Sequence, residues 1–239
     1  MKTLLPASAI ILFAFGCFAQ QGDSIIFQRP VTGSNLLHCN LIINIGAGFE
    51  QRNAGFITAN GEYVKISGGG GAGIGLQFGM AMFESNLDLC LAASFQVTPM
   101  TPAISNGSGT FSRTLIEPLI KYMFMLGRKR RSINAGLGAD FSSNPAMDID
   151  ASKIPNGAHN IWKYKNAAGP VVIFEYQTVR KKLGFNMGVK FYSIKYKLKS
   201  VVSNGTSYPI NVVPAAILSE VDNLSGSGLD FYFGIGYYF

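Results

Sequence analysis

The sequence predicts an all-β fold, a transmembrane antiparallel up-and-down β-barrel of about eight strands. Three observations support this prediction. Apolar and polar residues alternate with period two in eight segments, the connections between these segments alternate between short and long, and the polar set is made mostly of small residues. Only 14% of the 239 residues are charged, against about 25% in soluble domains.

The eight alternating segments are each about 12 residues long, which is enough for a tilted strand to cross a bilayer. Pro118 interrupts one of them and predicts a bulge or local break, because proline cannot donate to the ladder. The predicted strands cover residues 38–50, 72–83, 87–97, 111–126, 131–142, 168–179, 183–196 and 229–239.

The predicted connections are short on one side and long on the other, which is typical of outer-membrane barrels. The short ones lie at 84–86, 127–130 and 180–182, and the long ones at 51–71, 98–110, 143–167 and 197–227. An even number of strands leaves both chain ends on the short-turn, periplasmic side.

Two features of the long loops are notable. Trp162, with Lys163 and Lys165, is interpreted as an aromatic-belt residue beside lipid phosphates. The segment from Pro214 to Leu224 is predicted to form a short helix that covers the barrel mouth.

The N-terminus indicates a secretory signal. Lys2 precedes an apolar stretch from Leu4 to Phe18, with cleavage expected before Gln20. Lipidation of Cys17 is the alternative. The predicted division is residues 1–19 as signal peptide, 20–37 as a periplasmic lead-in and 38–239 as the β-barrel domain.

The composition of the two faces indicates that the apolar side chains face lipid and the polar side chains fill the interior. A soluble sandwich or lipocalin-like barrel, the alternative, needs an outward set rich in charge. Buried charges must be paired, and Arg113, Glu117 and Lys121 against Glu175 is one expected arrangement. The predicted interior charges are Glu50, Asp88, Arg113, Glu117, Lys121, Asp140, Glu175, Lys190 and Asp230.

Cysteine and histidine indicate no cofactor or metal site. Cys39 is predicted to point outward and Cys90 inward, so the two are expected to stay free thiols. His38 and His159 are far apart in sequence and lie in no zinc motif.

The C-terminal segment carries the family resemblance. Phe231, Phe233, Ile235, Tyr237 and Phe239 alternate with Tyr and Gly, and the segment resembles the terminal strand of outer-membrane proteins, which the barrel-assembly machinery reads. The whole mature chain is similar to barrels of the OmpA-transmembrane-domain or OmpX type and to outer-membrane β-barrel domain proteins of Bacteroidetes. The resemblance implies a bacterial outer membrane location, with outer-membrane lipid, periplasmic chaperones and the assembly machinery as partners. Because the basic clusters fall largely in turns, no nucleic-acid partner is expected.

Two function classes stay open at this point. The first is a non-enzymatic barrel whose long loops bind a partner or support the envelope. The second is a lipid-modifying enzyme at the rim, with His159 as base, Asp148 or Asp150 orienting it, and Ser142 or Ser143 as nucleophile. An accessory role in a secretion or transport assembly is a further alternative. Conduction is disfavoured, because side chains fill an eight-stranded barrel.

Overall fold

The computed structural model describes residues 36–57, 61–82, 84–103, 106–126, 130–154 and 157–239. The predicted signal peptide, the possible lipidation site Cys17 and all but the last two residues of the predicted lead-in lie outside the described residues. The first strand begins at Leu36, two residues before the predicted start of the barrel.

The described residues form fifteen strands and one short α-helix. In chain order they are β1 Leu36–Gly48, β2 Arg52–Ile57, β3 Tyr63–Ile66, β4 Gly70–Met82, β5 Leu87–Pro99, β6 Ser108–Met125, β7 Arg131–Asp150, β8 His159–Tyr164, β9 Ala167–Arg180, β10 Leu183–Tyr192, β11 Lys195–Tyr196, β12 Leu198–Ser203, β13 Thr206–Pro209, α1 Ala215–Val221, β14 Leu224–Ser225 and β15 Gly228–Tyr238, with a 3₁₀ turn at Ile210–Val212.

Eight of these strands close into an antiparallel barrel. Each pairs with its neighbour in the order β1, β4, β5, β6, β7, β9, β10 and β15. The first and last strands then pair with each other, from His38 opposite Tyr238 to Gly48 opposite Gly228. Since every barrel strand has two partners, no backbone edge is left in the wall. The predicted eight-stranded up-and-down barrel is confirmed.

A belt of exposed apolar side chains surrounds the barrel. On β1 the outward residues alternate with buried polar ones, as in exposed Ile43 beside buried Asn44. Water solvates such a continuous apolar surface poorly, whereas hydrocarbon solvates it well. The barrel therefore spans a membrane, and its belt includes Leu41, Ile43, Ile74, Leu76, Phe78, Leu91, Phe95, Ile116, Ile120, Leu137, Phe141, Phe185, Met187, Phe231, Phe233 and Ile235.

The predicted loop 143–167 is wrong in most of its length. β7 continues to Asp150, and β8 pairs with this extension in the same register that β9 keeps with the rest of β7. β7 on one side, and β8 followed by β9 on the other, thus form one long hairpin that extends beyond the lipid-facing belt. The alternation is less visible there because residues such as Asp148 face water rather than lipid.

Pro118 does not break its strand. The register of β6 against β7 is the same on both sides of it, with Ile116 opposite Phe141 and Leu119 opposite Gly138. The shift in register lies instead between Ser112 and Thr114. The ladder therefore tolerates the missing N–H of one proline. The register shift lies near the residues at which the partner of β7 changes from β9 to β8.

The long-loop end carries a folded cap. Strands β8, β12 and β13 extend the wall outward, while the β2–β3 hairpin and α1 pack nearby. The predicted helix 214–224 is confirmed in shorter form as α1, and its Leu218 packs against a buried cluster. This cluster, the cap core, comprises Ala54, Val64, Ile66, Met100, Phe111, Met147, Ile149, Tyr164, Ile194, Tyr196, Leu198, Val201, Val221 and Leu224. Among the described residues, no helix is both long and apolar enough to cross a bilayer.

Candidate functional site

The barrel interior holds eight of the nine charged residues predicted to lie there. Glu50 is the exception, and its assignment was wrong. β1 ends at Gly48, so Glu50 lies in the connection to β2, exposed and 2.7 Å from the Arg52 guanidinium. The eight buried charges are Asp88, Arg113, Glu117, Lys121, Asp140, Glu175, Lys190 and Asp230.

Glu175 is the centre of the network near the short-turn end. Its carboxylate accepts two hydrogen bonds from Lys121, at 3.0 and 3.2 Å. Asn134, Asn186 and Tyr232 also donate to it, at 2.8, 3.0 and 2.9 Å. The expected pairing of Lys121 with Glu175 is present, and the carboxylate joins its own strand, β9, to four others.

A second group lies farther towards the cap. Lys190 donates to Glu117 at 2.7 Å and lies 3.8 Å from Asp230. Asp230 accepts hydrogen bonds from Asn44 at 3.1 Å and Tyr192 at 3.0 Å. Glu117 is therefore paired with Lys190, and the predicted arrangement in which it lies in one group against Glu175 is wrong for this residue.

Arg113 joins the barrel to the cap. Its guanidinium donates to Gln96 at 2.5 and 2.9 Å and to the Tyr196 hydroxyl at 3.1 Å. It also donates to the Gly226 carbonyl at 3.1 Å and lies over the Tyr192 ring. Arg113 thus pairs with neutral acceptors, and the expectation that it faces Glu175 was wrong.

The interior is filled. A cavity in its middle, bordered by Glu117, Lys121 and Lys190, has a volume of about 30 Å³. That space holds about one or two water molecules. Asp140 is fully buried nearby, and neither of its carboxylate oxygens hydrogen-bonds to any described residue. A filled interior of this kind does not support diffusive conduction.

One cluster of metal-ligating side chains was not anticipated. The ligand atoms of His38, Asp88 and Cys90, all buried, lie within 4.8 Å of one another at the short-turn end. The alternation places all three inside. Their proximity, however, depends on the register that sets Gly79 of β4 opposite both His38 and Cys90. No metal site was predicted from the sequence, because the spacing of these three residues matches no metal-binding motif. Cys39 and Cys90 are free, as predicted.

The outer face of the cap carries five exposed lysines just beyond the belt. Three of them continue the alternation that brings Phe191 to the lipid-facing surface, and the other two lie on β8 and just after it. None forms a salt bridge with another described residue. A groove of about 800 Å³ opens beside some of them. This lysine face comprises Lys163, Lys165, Lys195, Lys197 and Lys199.

Trp162 is not the belt residue that the sequence suggested. It lies in β8 opposite Met147 and Val201, both of which are buried. Paired residues of a sheet share a face, so Trp162 points inward, and it packs against the cap core. Its neighbours Lys163 and Lys165 do lie on the outer face.

The residues proposed for catalysis do not assemble into a triad. His159 and Asp148 form a partly exposed pair at 2.8 Å. Ser142 and Ser143, however, lie seven to eight residues along β7 from Asp150, which faces His159, and so about 23–26 Å away. Ser142 is buried and accepts a hydrogen bond from Tyr196.

Asp150 has a local partner of its own. Hydrogen bonds from the side chain and backbone N–H of Ser152 lower the pKa of Asp150 below its usual value. The turn after β7 therefore favours the ionised form of Asp150.

The aromatic C-terminal segment faces lipid. Phe231, Phe233, Ile235, Tyr237 and Phe239 are all exposed on the outer surface of β15 and just after it. The backbone N–H of Phe239 donates to the Leu37 carbonyl at 2.9 Å. The last residue is thus held against the first strand at the seam.

The closed barrel, the apolar belt and the filled interior define a small transmembrane β-barrel of the outer-membrane type. No protein-family model matches the chain, and no curated protein matches it. Among solved structures, it is similar to the outer membrane protein OprG from Pseudomonas aeruginosa, at 14% identity, over 88% of this chain and 98% of OprG, with a TM-score of 0.52. Neisserial surface protein A (NspA) aligns over 86% of this chain and 97% of its own, at 13% identity and a TM-score of 0.43. The likeness to OprG confirms the fold.

Proposed function

We propose that this protein is a non-enzymatic barrel of the bacterial outer membrane whose cap binds phosphorylated lipid headgroups through the lysine face. The observation that supports the proposal is the position of this face. Its lysines follow directly after the lipid-facing belt, on the end of the barrel with long connections. In outer-membrane barrels that end is extracellular.

The spacing of the lysines suits a layer of headgroups. Lys195, Lys197 and Lys199 are exposed at every second residue of the extended chain that runs from β11 into β12, about 6.6 Å apart. Lys163 and Lys165 lie on β8 and just after it, the strand that pairs with β12. Ammonium groups near an anionic membrane surface contribute about 1 kcal/mol each, so five together provide substantial binding free energy. The cap core holds the backbone beneath them in place.

Removing two of these charges tests the proposal. For a Lys197→Gln/Lys199→Gln variant we expect the affinity for purified lipopolysaccharide to fall about 30-fold, because two lysines at about 1 kcal/mol each are lost. Binding is measured by calorimetry on the folded, detergent-solubilised protein. The effect is expected to shrink at high salt, since exposed charges are screened.

A Lys181→Gln/Lys182→Gln variant is the matched control. It removes the same net charge from an exposed turn at the opposite end of the barrel, and we expect it to bind lipopolysaccharide like the wild type. Equal losses in the two variants would show a non-specific dependence on net charge and would contradict the proposal.

The enzymatic alternative receives less support from the geometry. His159 has an acidic partner, but both proposed nucleophiles lie far from it. We therefore expect a His159→Gln variant to retain lipopolysaccharide binding, and lipid extracted from membranes carrying the wild type or this variant to have the same acyl composition. The role as an accessory component of a transport assembly stays a prediction.

We further propose that the C-terminal segment is recognised during assembly by the barrel-assembly machinery, after escort by periplasmic chaperones. For Phe239→Ala we expect a lower fraction of heat-modifiable, membrane-inserted barrel in cells. Phe124→Ala is the control, because it removes another exposed phenylalanine of the barrel surface far from the C-terminus. An equal loss in both variants would point to lipid contact alone as the cause.

A further inference from the structure

The cluster of His38, Asp88 and Cys90 has a chemistry that the proposed function does not use. We propose that these three side chains form a binding site for a divalent transition-metal ion of the zinc class. Imidazole nitrogen, thiolate sulfur and carboxylate oxygen are all ligands of zinc, and three protein ligands leave a fourth position for water. The ion would hold strands that do not pair directly.

The distances between the three ligand atoms are close to those required. His38 Nε2 lies 2.9 Å from Asp88 Oδ1 and 4.0 Å from Cys90 Sγ. Zinc bonds of about 2.0–2.3 Å in tetrahedral geometry place ligand atoms about 3.3–3.6 Å apart. Side-chain movements of about 1 Å therefore convert the hydrogen-bonded cluster into a coordination sphere.

The surroundings of His38 hold its ring in place. Its Nδ1 is 3.1 Å from the Asn40 carboxamide, and its ring stacks on Tyr238 with centroids 4.9 Å apart. Metal-binding histidines usually hydrogen-bond through their other nitrogen in this way. With Nε2 on the ion, Nδ1–H donates to Asn40, which requires only exchange of the amide oxygen and nitrogen.

Gly79 makes room for two of the ligands. A Cβ at this position would lie 2.5 Å from His38 Nε2 and 2.9 Å from Cys90 Sγ. Any larger residue would displace the imidazole and the thiol together. The glycine therefore lets both side chains occupy the space between β1 and β5, across β4.

The charge of the interior favours a bound cation. Among the described residues, five carboxylates but only three lysine or arginine side chains are buried in the barrel. Asp88 Oδ2 accepts no hydrogen bond from a described residue. Lys121 lies 3.7 Å from that oxygen and is held closer to Glu175. Binding of the ion to Cys90 releases the thiol proton to solvent and adds one net positive charge to the interior.

An ion at this site would link β1 to β5, two strands separated by β4. His38 is opposite Tyr238 at the seam between the first and last barrel strands, and Asp88 and Cys90 lie on β5. Ala81 and Met123 form a small buried apolar cluster at the same end, which limits access of water. An ion here links β1 at the seam to β5 and stabilises the short-turn end of the closed barrel.

The experiment uses the folded, detergent-solubilised mature chain, incubated with Zn²⁺ and passed through a gel-filtration column. We expect about one zinc per chain in the wild type by elemental mass spectrometry. We expect only background zinc in Cys90→Ser and His38→Gln. With Co²⁺ the wild type should show thiolate-to-cobalt charge-transfer absorption, and Cys90→Ser should not.

Cys39→Ser is the matched control, because it removes the other thiol of the barrel wall from the outward face. It should bind zinc like the wild type, and chelation should lower the unfolding temperature of both but not that of Cys90→Ser. Zinc content in the wild type no higher than in Cys90→Ser would overturn the proposal, as would loss of zinc in Cys39→Ser alone. If His38→Gln does not fold, Asn40→Ala keeps all three ligands and should weaken binding about 10- to 100-fold; unchanged binding in that variant would count against the site.

Discussion

Replacing Lys121 with methionine is expected to destabilise the folded barrel by about 3–5 kcal/mol, since it leaves buried carboxylates without their cation. Lys121 is almost completely buried and bonds to both oxygens of Glu175, and it lies 3.7 Å from Asp88. Methionine has a similar length, so the loss of packing is small. The free energy of unfolding is measured by reversible denaturant titration in detergent or phospholipid vesicles.

The double variant Lys121→Met/Glu175→Gln separates charge from packing. Glutamine keeps the shape of Glu175 without its charge, so the double variant should be more stable than Lys121→Met alone. The exposed Lys182→Met is the control for a lysine replacement and should change the free energy of unfolding by less than about 0.5 kcal/mol. Additive losses in the double variant would show that the two side chains do not act as a pair.

Placing an arginine on the lipid-facing belt is expected to cost about 2–4 kcal/mol at mid-membrane depth. Ile43 is the appropriate site, because it lies near the middle of β1 and its side chain is 51% exposed. For Ile43→Arg we therefore expect a lower free energy of unfolding from phospholipid vesicles. The change tests which face of the strand meets hydrocarbon.

Phe49→Arg is the matched control on the same side of the chain. Phe49 is 66% exposed and directly follows the end of β1, so the same arginine lies near the interface, where the cost is about 0–1 kcal/mol. Equal costs at the two positions would contradict the depth assigned to β1. No cost at either would indicate that the outward face is solvated by water.

The charged interior could be predicted only in part. Alternation placed Lys121 and Glu175 on the same face, and mixed signs indicated that they would pair. It could not show that Glu117 bonds to Lys190 or that Arg113 donates to Gln96. Those choices depend on the relative height of residues on different strands, which the pairing register decides.

The metal-ligating cluster shows the same division. Inward orientation of His38 and Cys90 follows from period two, because successive side chains of a strand point to opposite faces. Their proximity follows from Gly79, which lies opposite both of them. A shift of one residue in either pairing would turn one ligand towards lipid.

The sequence by itself determined the barrel, its eight strands and the direction of its two faces, because alternation and composition are local properties that lipid and a narrow interior select directly. Only the tertiary structure decided where β1 ends and so excludes Glu50, how far β7 and β8 rise beyond the membrane, and that Trp162 packs inward. These features depend on contacts between segments distant in sequence. Because the cap is surrounded by water, its strands need no continuous alternation of apolar residues, and the sequence pattern does not reveal them. The lysine face combines both: alternation points its side chains outward, and the continuation of the barrel wall brings them together.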